Sequence, residues 1–581
     1  MFCAMLALTW RTWPDAMVDF GRELYVPWRI VEGQRLFSEL AYHNGPLSPH
    51  VNALWFSLFG VSLSSLLWLN GLVLVGVTLL MRALLRQFVP PGGATVGTVT
   101  FVALFGFGQY VAIGNYNWMC PYSHEVTHGI AAALLALCCL SSYARSHRLL
   151  FAFGGGAAIG LAFLTKAEVF VAGAAAAGLG FLLVMRARAR DGGSWRGSAA
   201  LALVGLALPP CIAFGALAAT RPIGDALTGT LGTWAHLAGS RIGEQSFFAA
   251  ISGLDDPIAS MWLLTRWSLI WCGVLVLLAS IGRLLPERLR TGASLALAAS
   301  SVAGAVWVGP SFPDQWLRPL PLLLAVVTAQ GLARAWRTRS RTRADVAAEA
   351  TRVAFTAFAL LLLVKVLLHV RVGHYGFGLA MPGTALLAAW VLASTPLLLA
   401  RWVGASLAPV RIAAIGLSIG LAFCHVALTY WNVAAKPHTV GTGSDRFMAD
   451  TRGLVLQAAK DWLEDNTAVD ATLTVFVDCE ILNYIARRRN PIPFGNFNPH
   501  QVRLFGEATM IAALNRDPPD IIALIQRDTS EYGARFFSQD YGRKLAGWIR
   551  THYAPVGPPP SIAGQTGAAK DIHLRFWRRK P

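Results

Sequence analysis

Long apolar runs separated by short polar segments make up most of the first 435 residues. Each run approaches the roughly 20 residues that an α-helix needs to cross a bilayer. We therefore predict a polytopic α-helical membrane protein with about 12 or 13 transmembrane helices. Residues 1–10 are too few to span a membrane. We expect them to be the outer half of a thirteenth helix whose first half is missing from this sequence. The other predicted runs are 61–80, 93–113, 130–140, 149–164, a Gly/Ala-rich run ending before 186, 199–219, 259–281, 294–308, 317–333, 353–370, 377–399 and 412–430.

The distribution of positive charge sets the expected orientation. The chain is 55% hydrophobic and 14% charged, with a formal net charge of +18. Its Arg and Lys residues are concentrated in one set of connections, which places that set in the cytoplasm. This pattern explains the positive net charge, so no nucleic-acid partner is expected. These basic connections lie near 82–86, 145–148, 186–196, 283–290, 334–352 and 401–411. The connections on the outer face are then about 11–60, 115–129, 165–168, 221–257, 311–316 and 371–376.

The composition changes at about Lys436, where charged residues return. We predict a membrane domain over 1–435 and a soluble α/β domain over 436–581 on the outer face. Asp478-Cys479-Glu480 and the Arg487–Arg489 run match no nucleophile-elbow or phosphate-loop pattern, so we interpret the outer domain as an accessory domain. Its predicted elements are an amphipathic helix at 454–462, a strand at 472–478, a turn and buried strand at 517–526, and a helix at 544–553.

The first outer loop, about residues 11–60, is polar, charged and aromatic. Asp19 and Glu23 lie four residues apart, so a helical conformation would place them on one face. A carboxylate at a water-facing cavity can act as a general base or bind a metal through oxygen. We predict that this loop carries the chemistry and that Trp28 and Tyr42 shape the cavity around it.

Basic residues near the outer ends of apolar runs form a second candidate group. Ionisable side chains at such depth are costly and usually functional. A lysine binds phosphate as a point charge, and a basic stripe suits an anionic lipid headgroup. Lys365, His369 and Arg371 are expected on one side of a helix; snorkelling or pairing between helices is the structural alternative. The candidates for binding substrate or lipid phosphate are Arg22, Lys166, Glu168, Lys365, His369, Arg371, His374 and Tyr375.

Residues 124–128 match the H-E-x-x-H zinc motif. On a helix they would present His124 and His128 to a zinc ion, with Glu125 as the base of a protease. A catalytic zinc site needs a third protein ligand, and no partner motif follows. An intramembrane zinc protease is therefore one alternative. The other is that His124, Glu125 and Tyr122 line the same cavity as Asp19, where His124, Glu125 and His128 could hold a divalent ion; no other cofactor is expected.

The order of these segments resembles the GT-C superfamily of polyprenyl- or dolichyl-phosphate-sugar-dependent glycosyltransferases. That superfamily includes the protein O-mannosyltransferases and the lipid A aminoarabinose transferases. The resemblance implies a GT-C-like fold, with Asp19 as general base and Lys166, Lys365 and Arg371 holding the lipid phosphate. Protein mannosyltransferases carry adjacent acidic residues in this loop, whereas here Phe20 follows Asp19. The matching segments are DFGRELYVPWRIVEG, YHNGPLSP, FSLFGVS, NYNWMCPYS, FLTKAE and HYGFGLAMPG.

The same resemblance implies transfer of a sugar from a polyprenyl-phosphate carrier to a hydroxyl of an acceptor lipid, glycan or protein. Asp19 would deprotonate that hydroxyl and basic residues would stabilise the departing phosphate, which predicts inversion at the anomeric carbon. The protein would be a multi-pass protein of the inner (plasma) membrane with its C-terminal domain outside the cytoplasm. A lipid or sugar transporter or flippase, with polar residues at mid-membrane, is the alternative from another class. A non-catalytic envelope assembly protein is the third.

Overall fold

The computed structural model describes residues 1–237, 246–308, 314–337, 342–557 and 572–581. The chain is helical for most of its length up to Ala434, and its first strand begins at His438. The predicted domain boundary at 435–436 falls between these two residues. Parts of the predicted connections 221–257, 311–316 and 334–352, and most of the Pro/Gly-rich stretch before the last strand, lie outside the described residues.

The membrane domain consists of α-helices joined by short connections. A π-helical turn, Phe101–Gly106, continues α5, and a 3-10 turn, Leu363–Val366, ends α16. The helices are α1 (Phe2–Thr9), α2 (Phe20–Val31), α3 (Leu47–Phe59), α4 (Leu63–Leu85), α5 (Pro91–Thr100), α6 (His124–Ser146), α7 (Leu149–Phe163), α8 (Ala167–Arg190), α9 (Arg196–Ala218), α10 (Ile223–Leu231), α11 (Thr233–Leu237), α12 (Ser246–Ser252), α13 (Pro257–Arg283), α14 (Glu287–Val308), α15 (Leu320–Arg337), α16 (Arg343–Leu362), α17 (Gly376–Leu379), α18 (Met381–Ala393), α19 (Thr395–Val403) and α20 (Leu407–Ala434).

The protein is a multi-pass membrane protein. In the described part of the chain, eight helical segments are long and apolar enough to cross a membrane, and they contain α4, α6, α8, α9, α13, α15, α16 and α20. This number is lower than the predicted 12 or 13 because several apolar runs are interrupted. The runs that contain α5 and α7 form shorter helices, and the run at 377–399 bends by 46° between α18 and α19. The bend lies at Ser394, and Pro396 follows it within the first turn of α19, where a proline costs no helical hydrogen bond.

The C-terminal domain, residues 436–581, is called the outer domain after its predicted side of the membrane. It is a mixed α/β domain, and its predicted strands and helices are confirmed. A four-stranded sheet has the order β3-β4-β6-β5, with β3 and β4 parallel and β6 antiparallel to both of its neighbours. β1 and β2 form a separate antiparallel pair. The strands are β1 (His438–Val440), β2 (Phe447–Ala449), β3 (Leu473–Phe476), β4 (Ile521–Gln526), β5 (Tyr553–Val556) and β6 (His573–Arg579). The helices are α21 (Arg452–Asn466), α22 (Glu480–Ile485), α23 (Pro499–Phe505), α24 (Glu507–Arg516) and α25 (Arg543–His552).

The first outer loop lies between the membrane helices and the outer domain. Buried Asp15 accepts two hydrogen bonds from the Arg452 guanidinium, at 3.2 and 2.8 Å. The backbone N–H of Asn490 donates to the Tyr25 hydroxyl at 2.7 Å. A bidentate arginine–carboxylate pair fixes geometry as well as energy. The outer domain is therefore docked directly on the loop that was predicted to carry the chemistry.

Candidate active site

A cavity of about 1050 Å³ lies where the first outer loop, the ends of the membrane helices and the outer domain meet. Its walls include residues from α8, the segment after α16, and the loops that follow β3 and β4. The structure therefore brings together most of the predicted site, from parts of the sequence that lie hundreds of residues apart. The predicted residues that line the cavity are Asp19, Arg22, Tyr42, Tyr122, Lys166, Glu168, Lys365, His369, Arg371, His374 and Tyr375.

Asp19 occupies the N-cap position of α2 and lines the cavity. Among the residues that the structure describes, none donates a hydrogen bond to its carboxylate. Burial and the negative charge of Asp478 raise the pKa of Asp19 to about 7. A general base is most effective when its pKa lies near the working pH. Asp19 therefore has both the freedom and the basicity that proton removal requires.

Glu23, the second predicted acid, is held by partners on both oxygens. Its Oε1 accepts hydrogen bonds from Arg22, at 3.1 Å from Nε and 2.8 Å from Nη2. Its Oε2 accepts the backbone N–H of His124 at 3.2 Å and pairs with the ring Nδ1 of the same residue. Burial opposes ionisation of Glu23, but Arg22 and His124 outweigh it and lower the pKa to about 2. The geometry gives Glu23 the position of a buried counter-ion outside the cavity lining.

The outer domain contributes Glu480, which the sequence interpretation did not place in the site. Glu480 lines the cavity together with Asp19. The two are brought close because α2 meets α22 backbone to backbone at Gly21, where a Cβ would overlap the backbone of Ile481. Burial raises the pKa of Glu480 to about 8, in spite of Arg22. The cavity lining therefore combines carboxyl groups from both domains, among them Asp19 and Glu480.

The loops after the parallel strands β3 and β4 carry the outer domain's contribution. Asp478 follows β3, and its carboxylate accepts hydrogen bonds from Arg527, which follows β4, at 3.1 Å, and from Asn496 at 2.9 Å. In open α/β sheets, sites form beyond the carboxyl ends of parallel strands. Asp478 and Glu480, at the end of the predicted strand 472–478, were the signal that could have identified this edge.

Lys166 and Lys365 share one carboxylate at the start of α8. The Lys365 Nζ lies 2.8 Å from Oε1 of Glu168, and the Lys166 Nζ lies 3.9 Å from the same atom. Lys166 also donates to the Tyr122 hydroxyl at 3.1 Å. Together, Lys166, Lys365 and Glu168 carry a net positive charge, which favours the binding of an anion. Lys365 lies in the 3-10 turn that ends α16, at the last residues of a candidate membrane span, whereas a transporter is expected to carry such residues near the middle of a span.

Lys365, His369 and Arg371 were predicted to lie on one side of a helix, and this prediction is wrong. Helical structure ends at Val366, and the residues up to Tyr375 form turns and bends. All three side chains nevertheless line the cavity. In the described chain, the Arg371 guanidinium pairs with no acid. Burial, followed by the charge of Arg371, lowers the pKa of His374 to about 3, so His374 is neutral.

The turn at Gly45 holds the first outer loop against the segment that carries Lys166. The backbone N–H of Gly45 donates to the carbonyl of Thr165 at 2.9 Å, and that of Leu47 donates to the carbonyl of Leu164 at 3.1 Å. A Cβ at position 45 would overlap the Leu164 carbonyl, so only glycine allows this approach. This contact fixes the position of Lys166 relative to the loop of Asp19.

The H-E-x-x-H residues begin α6 and lie outside the cavity lining. The His124 ring pairs with Glu23 and, through Nε2, with Asn70 Oδ1 at 3.0 Å. Glu125 accepts hydrogen bonds from Tyr42 and from Ser123 Oγ, the latter at 2.5 Å. These contacts tie the N-terminal end of α6 to the first outer loop.

No ligand set for a metal is found within the described residues. There, no group of three or more His, Cys, Asp or Glu side chains could hold a metal ion. His128 faces Ser48 Oγ at 3.0 Å, and a third protein ligand beside His124 and Glu125 is missing from this part of the chain. The divalent ion remains a prediction.

Trp28 does not line the cavity. Its indole N–H donates to Glu32 Oε1 at 2.6 Å, and its ring meets Tyr484 of α22 edge to face, with centroids 6.0 Å apart. Trp28 therefore packs the first outer loop against the outer domain. Its predicted role in shaping the cavity is replaced by a role in docking α2 on α22.

The apolar part of the cavity lining reaches the lipid-facing surface of two membrane helices. Val171 of α8 and Val364 at the end of α16 both line it, and their side chains are 48% and 57% exposed. Lys365 is adjacent to Val364 in the chain. A substrate with a charged head and an apolar tail could therefore enter from the membrane.

No protein-family model matches the chain, and no curated protein matches it. Among solved structures, the chain is similar to ArnT from Cupriavidus metallidurans bound to undecaprenyl phosphate, with 14% identity over 99% of this chain and 97% of that chain and a TM-score of 0.49. It is also similar to the oligosaccharyltransferase AglB from Archaeoglobus fulgidus, in complex with an inhibitory peptide and a dolichol-phosphate, with 13% identity over 90% and 68% of the two chains and a TM-score of 0.45. At these identities the similarity concerns the fold alone.

Proposed function

We propose that this protein is a membrane glycosyltransferase that moves a sugar from a polyprenyl-phosphate carrier to an acceptor hydroxyl. The observation that carries the proposal is a single cavity that combines an unpaired carboxylate, Asp19, with the cations Lys166, Lys365 and Arg371. The reaction takes place on the outer face of the inner (plasma) membrane, where the C-terminal domain lies. The positive-inside pattern of the connections supports this orientation.

Asp19 acts as the general base. Its carboxylate takes the proton of the acceptor hydroxyl while the acceptor oxygen forms a bond to the anomeric carbon. The bond from that carbon to the phosphate oxygen breaks at the same time, and the lipid phosphate leaves with the electron pair. Attack opposite the leaving group inverts the configuration of the sugar. Glu480 lines the same cavity and contacts the acceptor from the outer-domain side.

The basic residues hold the phosphate of the carrier before and after transfer. Lys166 and Lys365 offer point charges, and Arg371 offers a guanidinium with geometry that matches phosphate oxygens. Positive groups at the leaving oxygen stabilise the charge that develops in the transition state. The lipid-facing opening beside Val171 and Val364 gives the polyprenyl tail a path into the bilayer.

The direct test is transfer by the protein reconstituted in liposomes. Polyprenyl-phosphate hexoses with a radiolabelled sugar are supplied with a membrane lipid extract, and loss of label from the carrier is measured. We expect Asp19→Asn to lower the rate by about 10²- to 10⁴-fold, the usual contribution of a general base. Asp225→Asn, which changes an exposed acid of α10, is the matched control and should keep wild-type activity.

Two outcomes would contradict the proposal. Near-normal transfer by a folded Asp19→Asn protein would remove Asp19 from the role of base. Movement of intact labelled carrier across the bilayer, with no cleavage of the sugar–phosphate bond, would favour the transporter instead.

A further inference from the structure

A second cavity, of about 410 Å³, lies among α6, α7, α8 and α9. The α6 residues that line this cavity lie between Ala136 and Tyr143, in the C-terminal half of the helix. The active-site cavity lies near the other end of α6, where Tyr122 precedes the helix. Its lining is almost entirely Ala, Gly, Leu, Phe and Ile side chains. The proposed reaction does not use it.

Glycines on the surrounding helices pack closely on one side of this cavity and leave open space on another. A Cβ at Gly156 would overlap the carbonyl of Ala202, and one at Gly160 would overlap the carbonyl of Leu206. These contacts draw α7 tightly against α9, as small residues do between membrane helices. On α8, by contrast, Gly178 lines the cavity and has no atom within 4 Å of its Cβ position.

The cavity opens toward lipid rather than toward water. Leu182 and Leu203 both line it, and their side chains are 65% and 64% exposed on helices that cross the membrane. An apolar cavity does not hold water stably. The occupant that fits this position is an acyl chain.

The ends of the same four helices carry a dense group of arginines. The connections 145–148 and 186–196 contain six arginines and a single acid, Asp191. Arg188 contacts the edge of the cavity, because its Nη1 lies 3.5 Å from the hydroxyl of Tyr143, a lining residue, and its Nε is buried without a partner in the described chain. The arginines are Arg145, Arg148, Arg186, Arg188, Arg190 and Arg196.

We infer that this cavity is a binding site for one anionic phospholipid, with an acyl chain among α6–α9 and the phosphate against the arginines. Basic pockets between membrane helices recognise anionic headgroups in this way, and each nearby arginine adds to the attraction. Trp195, which lines the cavity and is 43% exposed, lies beside Arg196, where an interfacial tryptophan is expected.

Native mass spectrometry of the purified full-length protein tests the site. The protein in detergent is titrated with phosphatidylglycerol and, separately, with phosphatidylcholine of the same acyl chains. We expect one molecule of phosphatidylglycerol to bind per protein, at least about tenfold more tightly than phosphatidylcholine. Gly178→Leu should fill the cavity and weaken this binding by at least about tenfold. Gly76→Leu, the same change at an open position of α4, should leave it unchanged.

The headgroup contact is tested separately with two exposed arginines. Arg145→Gln combined with Arg196→Gln should weaken phosphatidylglycerol binding by about twentyfold and leave phosphatidylcholine binding unchanged. Equal binding of the two lipids by the wild type would overturn the inference, as would wild-type binding by Gly178→Leu. None of these measurements depends on glycosyl transfer.

Discussion

At the scale of single residues, the ionisation of Asp19 controls the proposed reaction. The base must be ionised, and burial together with Asp478 raises its pKa to about 7. We therefore expect kcat/KM to rise with pH through about 7, because the inactive, protonated form of the free enzyme is lost over that range. The measurement is a pH–rate profile of carrier cleavage between about pH 5 and 9.

Asp478 gives this pH dependence a second test. Asp478→Asn removes the neighbouring negative charge and frees the positive charge of Arg527, and both changes lower the pKa of Asp19. The acid limb of the profile should move to lower pH, with donor binding unchanged. An acid limb that stays at the same pH in this variant would show that another group controls it.

The identities of the candidate residues could be predicted from the sequence, but their partners could not. An acidic outer loop and lysines next to apolar runs are visible as local patterns. The pairs Glu23–His124 and Lys365–Glu168 join residues that lie 101 and 197 positions apart. Which of two nearby acids stays unpaired depends on such contacts, and this is why Asp19 and Glu23 were both candidates.

At the scale of elements, the contact between α2 and α22 brings Asp19 and Glu480 into one cavity. Gly21→Ala would force these helices apart, because a Cβ overlaps the backbone of Ile481. We expect a loss of about 1–3 kcal/mol in the free energy of unfolding and a lower rate of transfer. Thermal unfolding in detergent, followed by tryptophan fluorescence, checks the stability.

Gly71→Ala is the matched control for this contact. Gly71 lies within α4 and has open space at its Cβ position, so alanine should be neutral or slightly stabilising there. Wild-type stability and activity in Gly21→Ala would mean that the close approach of α2 and α22 is not required.

Element type was predictable where periodicity and composition agree. The apolar runs became helices, and the β-branched segment at 472–478 contains β3. The interruptions were harder to predict, because the end of helical structure at Val366 and the bend between α18 and α19 occur inside apolar sequence. Tertiary contacts, such as the Lys365–Glu168 pair, accompany these breaks and leave no mark in local hydrophobicity.

At the scale of the whole molecule, the site lies between two domains. Charge counting predicted that the first outer loop, Lys166 and Arg371 share a face with the outer domain. It could not predict that Glu480 reaches the same cavity, since that depends on docking through Asp15–Arg452 and Tyr25–Asn490. The outer domain is thus part of the proposed active site rather than an accessory.

The most direct test of the central claim is the position of a bound carrier. An electron cryo-microscopy structure of the protein with a polyprenyl phosphate should show the phosphate in the cavity. We expect its oxygens at about 3 Å from the cationic groups of Lys166 or Arg371, with the tail leaving beside Val171 and Val364. A phosphate bound away from this cavity, with Asp19 not facing it, would contradict the proposed function.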